Sequence, residues 1–485
     1  MGRVLVIGLD ALSPELVNKW LPDLPNLRAL MERGIHGPLQ SIVQPVTPAA
    51  WTAMLSGRDP GHFGFTDFMS RTGNSYLDFR MVHSRMITVQ TLYTLLPQAG
   101  RRVMMVGVPI TYPPVPISDG VCVSCFMAPS LKKPIVFPPA LQAQLLAQTS
   151  SPYILDASVD GAEEVDLDSL LWRIKEMDRQ RFDMTGYLMQ THPWDLLFMV
   201  AMGTDRVGHY FMRFLDPDHC QYVPNSRYCD AIREHYRYCD KRLGELMQVA
   251  GPDTVIMVVS DHGMQRLDGK VNINDWLIEN NYLYLNEAVD RPTPLSKAAV
   301  DWSRTRAWAR GFGGQIYLNI RGREAEGCVE PGDAEALMKE LIHNFEQVSS
   351  LRGYPVRIHA IRRDDIYSGP QAARCPDLFI QINDLHYLTS DLVGHDQLLT
   401  PLSAKDLDNG SHAPYGFFAM AGPGVQALGH FAALHLLDVA PTILDLLQVP
   451  VPADLVGHPI HLADDVYSED EEEELVNRLR TLYLE

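Results

Sequence analysis

The sequence predicts an α/β protein: a doubly wound, mostly parallel sheet flanked by helices, with inserted subdomains. Three stretches carry that prediction: Val4 to Leu9, Asp195 to Met202 and Thr254 to Ser260. Each is a short apolar run rich in leucine, methionine or β-branched residues, bounded by glycine, aspartate or serine. Runs of this length fit strands covered on both faces by helices, as in parallel sheets. Each also leads into an acid, Asp10, Asp205 and Asp261. Ligands of open parallel sheets bind beyond the carboxyl ends of the strands, so the three acids are expected at one edge.

The remaining elements follow in order. Ser13 caps a helix to about Trp20, and Pro25 to Arg33 reads as a second helix stopped by Gly34. Gly37 to Val43 reads as a strand leading into Pro45-Val46-Thr47-Pro48. Proline is favoured at the first helical position and threonine is a good N-cap. Thr47 is therefore placed at the mouth of an Ala-rich helix, where free N–H groups and the dipole favour an anion. In most Thr-Pro sequences such a hydroxyl is no more than a cap. A glycine-rich loop, Gly57 to Gly64, comes next.

Beyond it the pattern is less regular, with Pro-rich stretches, a strand at Arg102 to Val108 and helices at Pro138 to Ala147 and Asp168 to Gln190. A helix over Ser226 to Ala250 precedes the third core strand. Gly314 to Ile320, a helix at Gly332 to Gln347, Val356 to Arg362 and Asp377 to Ile382 suggest a small β-α-β-β unit. The core resumes at Gly410, with a helix from Leu437 to Leu447. The expected organisation is a catalytic α/β core from 1–64, 191–270 and 401–465, an insertion or cap over 65–190, a small inserted α+β subdomain over 271–400, and an acidic C-terminal helix over 466–485.

Composition removes several function classes. Lys+Arg 41 against Asp+Glu 60 leaves a formal charge of −19, which argues against general nucleic-acid binding through a basic face. A phosphate-bearing small molecule stays open, because bound cations reverse the local sign. The run Glu469 to Glu474 reads as a solvated face. No secretory pattern opens the sequence, and no apolar run approaches the ~20 residues that span a bilayer. Seven scattered cysteines suit reduced thiols, so a cytoplasmic protein is expected. Cys122 and Cys125 form a C-x-x-C without a second pair and read as buried thiols rather than zinc ligands.

Chemistry is expected where the acids gather. Three carboxylates at one edge resist joint ionisation unless a cation joins them. Asp205 and His209 are four residues apart and share a face if a helix begins there. Asp261 and His262 are adjacent on a turn relieved by Gly263, and His412 lies on a tight loop before a strand. A carboxylate-and-imidazole set suits zinc, with manganese or iron as competitors. One histidine alone is ordinarily a surface or core residue; the joint occurrence at one edge carries the weight.

Gly8-Leu-Asp10, Pro45-Val-Thr47-Pro-Ala-Ala-Trp51, Thr204-Asp-Arg-Val-Gly-His209, Ser260-Asp-His-Gly263 and Ser411-His412 with Gly416, in this order, resemble the alkaline phosphatase superfamily. Within it they look most like the type I phosphodiesterase/nucleotide pyrophosphatase branch, including proteins described as AlkP-type phosphohydrolase or phosphomutase. The resemblance implies an alkaline-phosphatase-like fold and two divalent metal ions, zinc first and manganese second. It assigns Asp205, His209 and His412 to one ion, and Asp10, Asp261 and His262 to the other. Thr47 would touch the second ion as the nucleophile and pass through a phosphothreonine. The expected partner is a small-molecule phosphate ester.

The sequence also departs from that branch. Nucleotide pyrophosphatases place an asparagine shortly after the glycine-rich loop to hold a phosphate oxygen, whereas this stretch reads Gly64-Phe-Thr-Asp67-Phe68. Arg58, His62, Arg80 and Arg206 are the candidates for supplying a positive group there instead. The expected activity is a metal-dependent phosphodiesterase of the nucleotide pyrophosphatase type. A phosphomutase or phosphomonoesterase of the same superfamily is the alternative. A catalytically silent metal-binding regulatory protein is an alternative of another class. A dinucleotide-binding oxidoreductase fits poorly, since Gly8-Leu-Asp-Ala lacks a G-x-G-x-x-G loop.

Overall fold

The three apolar runs lie side by side. In the computed structural model, which describes residues 2–460 apart from 160–164, 352, 396, 404 and 433, strand Arg3–Leu9 pairs in parallel with Leu196–Ala201 on one side and Thr254–Val259 on the other. Gly8 stands level with Val200 and with Val259. Asp10 and Asp261 therefore leave the sheet at the same height, each two residues past that level. All residues of the two flanking strands are buried, which is why their sequences show no alternation.

These strands form the middle of a ten-stranded sheet. Beyond Leu196–Ala201 come Val103–Val106, Val121–Val123 and Val136–Phe137; beyond Thr254–Val259 come Tyr415–Ala421, Ile35–Gln40 and Gly429–His430. Tyr415–Ala421 is antiparallel to both its neighbours, as is Val136–Phe137 to its own. The other pairings are parallel, those of Ile35–Gln40 with Gly429–His430 and Leu434–His435 included. The helices Leu167–Thr191, Gly203–Leu215 and Ala231–Ala250 pack on one another beside this sheet.

Element positions follow the sequence reading closely, several with shorter ends. The helix expected over Ser226 to Ala250 begins only at Ala231, and that expected over Pro138 to Ala147 is a 3-10 turn, Pro139–Leu141, followed by Gln142–Leu146. Two placements differ more. Val103–Val106 and Val121–Val123 fall in the stretch expected as an insertion, yet they extend the main sheet. They are fully buried, so their apolar runs serve the same core as the other strands. The hairpin Met69–Arg71/Phe79–Met81 from the same stretch instead sends Tyr76 toward the second sheet, where its ring stacks on Trp302 with centroids 3.8 Å apart. The acidic run and the C-terminal helix lie outside the described residues.

A second sheet of seven strands follows the order Ala307–Arg310, Gln315–Leu318, Leu378–Ile382, Tyr387–Ser390, Gly269–Asn272, Leu399–Pro401, with Ile358–Arg362 on Leu378–Ile382. Helix Ala334–Glu346 contributes Leu341 and Phe345 to its own apolar core around Trp276 and Trp308. Cys122 and Cys125 are buried free thiols, as read from their isolation; burial pushes Cys122 up to about 12. Among the described residues, no helix is long and apolar enough to cross a membrane.

Candidate metal centre and substrate pocket

The helix that organises the site runs Thr47–Ser56. Thr47 is its first residue rather than its cap: Val46 takes the cap position, with no side-chain cap bond. The Thr47 hydroxyl is thus free of the capping duty that would explain it away. It lies 3.3 Å from His262 Nε2 and is buried. One turn further along, Trp51 Nε1–H donates to Asp10 Oδ2 at 2.7 Å. A side chain at position 8 would collide with this indole, its Cβ falling 2.6 Å from the ring. Gly8 is therefore required for Trp51 to lie across the first strand and reach Asp10.

Around Thr47 the structure gathers every histidine and acid expected as a metal ligand. His262 Nε2 is 3.2 Å from Asp261 Oδ2 and 3.6 Å from Asp10 Oδ1. Asp205 Oδ1 faces His209 Nε2 at 3.2 Å and His412 Nε2 at 3.5 Å. His262 and His412 stack with centroids 3.7 Å apart, joining the two halves. Asp205 and His209 share the helix Gly203–Leu215, as their spacing requires. His412 stands on Gly410–Ala413, which pairs with Gly263–Arg266 immediately after His262.

The donor set fits a pair of divalent cations on two counts. Asp10 Oδ1, Asp205 Oδ1 and Asp261 Oδ2 are buried with no hydrogen-bond partner among the described residues, a costly arrangement without a positive charge nearby. The imidazoles are also oriented from behind. His412 Nδ1 lies 2.6 Å from the Pro45 carbonyl, His262 Nδ1 3.0 Å from the Gly263 carbonyl and His209 Nδ1 2.8 Å from the Asp408 carboxylate. Carbonyls and carboxylates only accept, which assigns the proton of each neutral ring to Nδ1 and leaves Nε2 bare. With both rings neutral, the Nε2 lone pairs of His209 and His412 would meet at 3.1 Å. A cation resolves that contact. With no cation present, burial opposes a charge on His209, but Asp205 and Asp408 raise its pKa well above the ordinary value, and its proton stands where a cation would.

Without one, the charges are in conflict. Burial pushes the Asp10 carboxyl well above its ordinary value, and Asp205 adds to the rise. Burial raises Asp261 likewise, with Asp10 next. Asp205 goes the other way: burial opposes its charge, but His209, His412 and Arg206 hold it well below the ordinary range. His262 is pushed well down, by burial first and by His412 second.

Of the four substrate-binding candidates, only Arg206 reaches the cavity beside this cluster. It is already committed, contacting Asp205 Oδ2 at 2.5 Å and forking onto Asp156 at 2.9 and 3.1 Å. It holds the Asp205 carboxylate in place. Arg58 is buried elsewhere, both contacts to Asp454 measuring 2.8 Å, and also binds the Ser56 and Gln90 carbonyls. His62 lies 3.4 Å from Asp59, and Arg80 points off a short hairpin strand, 3.6 Å from Asp78. Arg58 is thus held by structural partners, whereas His62 has a contact to Asp59 and Arg80 a surface contact to Asp78.

The cavity itself has a volume of about 610 Å³ and joins Thr47, Asp205, His209 and His412 to Asp67, Phe68, Phe79, Lys270, Arg310 and Phe312. Reading the chain by motif missed Asp408, Asp156, Lys270 and Arg310, because their relevance comes from other segments folding against them. Trp51 was legible in principle, four residues after Thr47 on a helix.

A second buried group, Asp178, His235 and Cys239, also brings ligand-type atoms together. Here both Asp178 oxygens accept the Gly203 N–H at 3.1 Å, and His235 Nε2 adds a bond at 3.0 Å. This group anchors the start of the helix that carries Asp205 and His209.

Comparison with known proteins agrees with this architecture. The family model "Type I phosphodiesterase / nucleotide pyrophosphatase" matches residues 4–405. The chain belongs to that family and is thus an enzyme of the phosphoester-hydrolase class, on an alkaline-phosphatase-like fold. A comparison with curated proteins by sequence found no match. Among solved structures, phosphonoacetate hydrolase from Sinorhizobium meliloti 1021, in complex with phosphonoformate, is similar with a TM-score of 0.57 at 14% identity, covering 92% of this chain and 95% of its own. Murine ectonucleotide pyrophosphatase/phosphodiesterase 5, as an inactive threonine-to-alanine variant in complex with AMP, has a TM-score of 0.52 at 13% identity, covering 98% of this chain and 100% of its own. At such identities the likeness is one of fold.

Proposed function

We propose that this chain is a two-metal phosphodiesterase that works through Thr47. The observation that carries the reading is the convergence of three unpartnered carboxylate oxygens and the bare Nε2 atoms of His209, His262 and His412 around one uncapped threonine hydroxyl. Asp205, His209 and His412 would hold one ion; Asp10, Asp261 and His262 would hold the other, zinc or manganese by donor chemistry. When bound, such a pair clamps the attacking and leaving oxygens of an in-line displacement.

The chain's own residues do the rest. Thr47 presents Oγ1 at a helix N-terminus, where the dipole favours the alkoxide. A bond from Oγ1 to phosphorus forms as the ester oxygen departs, and water then releases the phosphothreonine. Trp51 and Arg206 fix the outer oxygens of Asp10 and Asp205, so the inner ones face the reaction. The murine neighbour described as inactive with threonine replaced by alanine, in complex with AMP, is consistent with this assignment.

The test is hydrolysis of bis-p-nitrophenyl phosphate and p-nitrophenyl phosphate by protein loaded with zinc or manganese. The diester is expected to be preferred, and a strong monoester preference would replace this reading with a phosphomonoesterase. Thr47→Ala is expected to lower kcat by about 10³-fold or more with two ions still bound per chain. Full activity in that variant removes Thr47 from the mechanism.

A further inference from the structure

We infer that the cavity selects an ester arm that is apolar beside phosphorus and ends in an anionic group, which Lys270 binds. This rests on the phosphodiesterase reading for the identity of the reacting end, and on the far wall of the cavity for the rest.

That wall is largely apolar: Phe68, Phe79, Phe312 and Leu388 line it. Its charges are nearly all spoken for. Arg310 lies 2.7 Å from Asp391, its guanidinium above the Phe79 ring at 4.9 Å. Arg206 is shared by Asp156 and Asp205, and Asp408 holds His209. Asp67 accepts from the Phe68 backbone at 2.6 Å and from Gln315 at 3.1 Å. Lys270 alone of the lining cations has no carboxylate, carbonyl or ring partner among the described residues.

Its position is set by the sheet. In strand Gly269–Asn272, Val271 turns into the second core while Lys270 projects to the opposite face and is exposed. Lys270 stands opposite Leu388 on one neighbouring strand and Thr400 on the other, so its aliphatic stem can cover the Leu388 side chain while the charged end keeps to water. In a chain of charge −19, an unmatched cation facing an aromatic-lined cavity draws an anion and repels a cationic arm. The volume, about 610 Å³, accommodates an organic arm as well as the phosphoryl group.

The experiment uses two p-nitrophenyl phosphodiesters whose second arm is a phenylalkyl chain ending either in a carboxylate or in the matching carboxamide. With zinc- or manganese-loaded protein, KM for the carboxylate is expected to be about five- to tenfold lower, with kcat within about twofold. Lys270→Gln should erase that difference with two ions still bound per chain, Lys270→Arg should keep most of it, and 0.5 M salt should narrow it. Calorimetric titration of both compounds into the Thr47→Ala variant, with and without Lys270→Gln, reads the same preference without turnover. A charge preference in binding with no hydrolysis of any diester leaves this proposal standing and removes the phosphodiesterase reading. Hydrolysis with no charge preference, or a preference that survives Lys270→Gln, overturns the proposal and leaves the hydrolase intact.

Discussion

Two buried clusters in this molecule have nearly the same chemical inventory and opposite character. One is the Asp10, Asp205, Asp261, His262, His412 group, with His209 on Asp205; the other is Asp178, His235, Cys239. In the second, the two Asp178 oxygens share the Gly203 N–H and the imidazole adds a bond to one of them. In the first, three carboxylate oxygens have no hydrogen-bond donor among the described residues, and the Nε2 atoms of His209 and His412 crowd together at 3.1 Å. Residue type and spacing therefore do not distinguish a metal centre from a structural clamp. What distinguishes them is whether the lone pairs are already used. The clamp nonetheless serves the centre, since the backbone it anchors begins the helix of Asp205 and His209.

The contrast breaks most visibly if Asp261 is changed. Asp261→Asn is expected to remove one of two ions per chain and lower kcat/KM on the order of a thousandfold; metal analysis by mass spectrometry alongside kinetics checks it. Two ions retained at full activity would mean that the unpartnered oxygens are not ligands. His235→Ala should do the reverse. Leaving the buried Asp178 charge without its imidazole costs about 3 kcal/mol of stability, seen in urea unfolding, while metal content stays at two. Loss of an ion in this variant would make the second cluster a metal site as well.

Trp51→Phe probes how far the outer hydrogen bonds tune the centre. Losing the 2.7 Å bond to Asp10 is expected to weaken metal binding by about 10–100-fold, read by competition with a chelator, and unchanged affinity would assign the indole to packing alone.

Asp67 gives the most conditional effect. Burial pushes its carboxyl from 3.8 up to about 6, although it has two hydrogen-bond donors. Below about pH 4 the group is protonated in folded and unfolded chains alike and costs nothing. As pH rises through 6, the folded state must ionise a buried acid, and stability is lost. Asp67→Asn should therefore match the wild type near pH 4 and exceed it at pH 7.5 by up to about 3 kcal/mol. An equal difference at both pH values would show that burial does not oppose this charge.

Much of the proposed site could be read from the chain because each candidate ligand sits at a point of local grammar. Asp10 and Asp261 follow buried strands, Asp205 and His209 are one helical turn apart, and Thr47 precedes a proline at a helix start. The substrate side could not be read this way. Arg58, His62 and Arg80 looked available because a sequence lists charges without their partners, and Asp454, Asp59 and Asp78 take them. Arg206 is in the right place for a different reason, as the brace of Asp205.

The sequence by itself determined the parallel core and the acids at its edge, since strand burial and helix starts depend on neighbouring residues within a few positions. Tertiary structure alone decided which lone pairs remained unused and which cation stayed unmatched. Lys270, Asp408 and Phe79 lie far apart along the chain, and only the packing of the second sheet and the hairpin against the Thr47 loop places them around one cavity. Hydrogen-bond satisfaction is a property of that packing, because any polar atom can be met by a partner from anywhere in the fold.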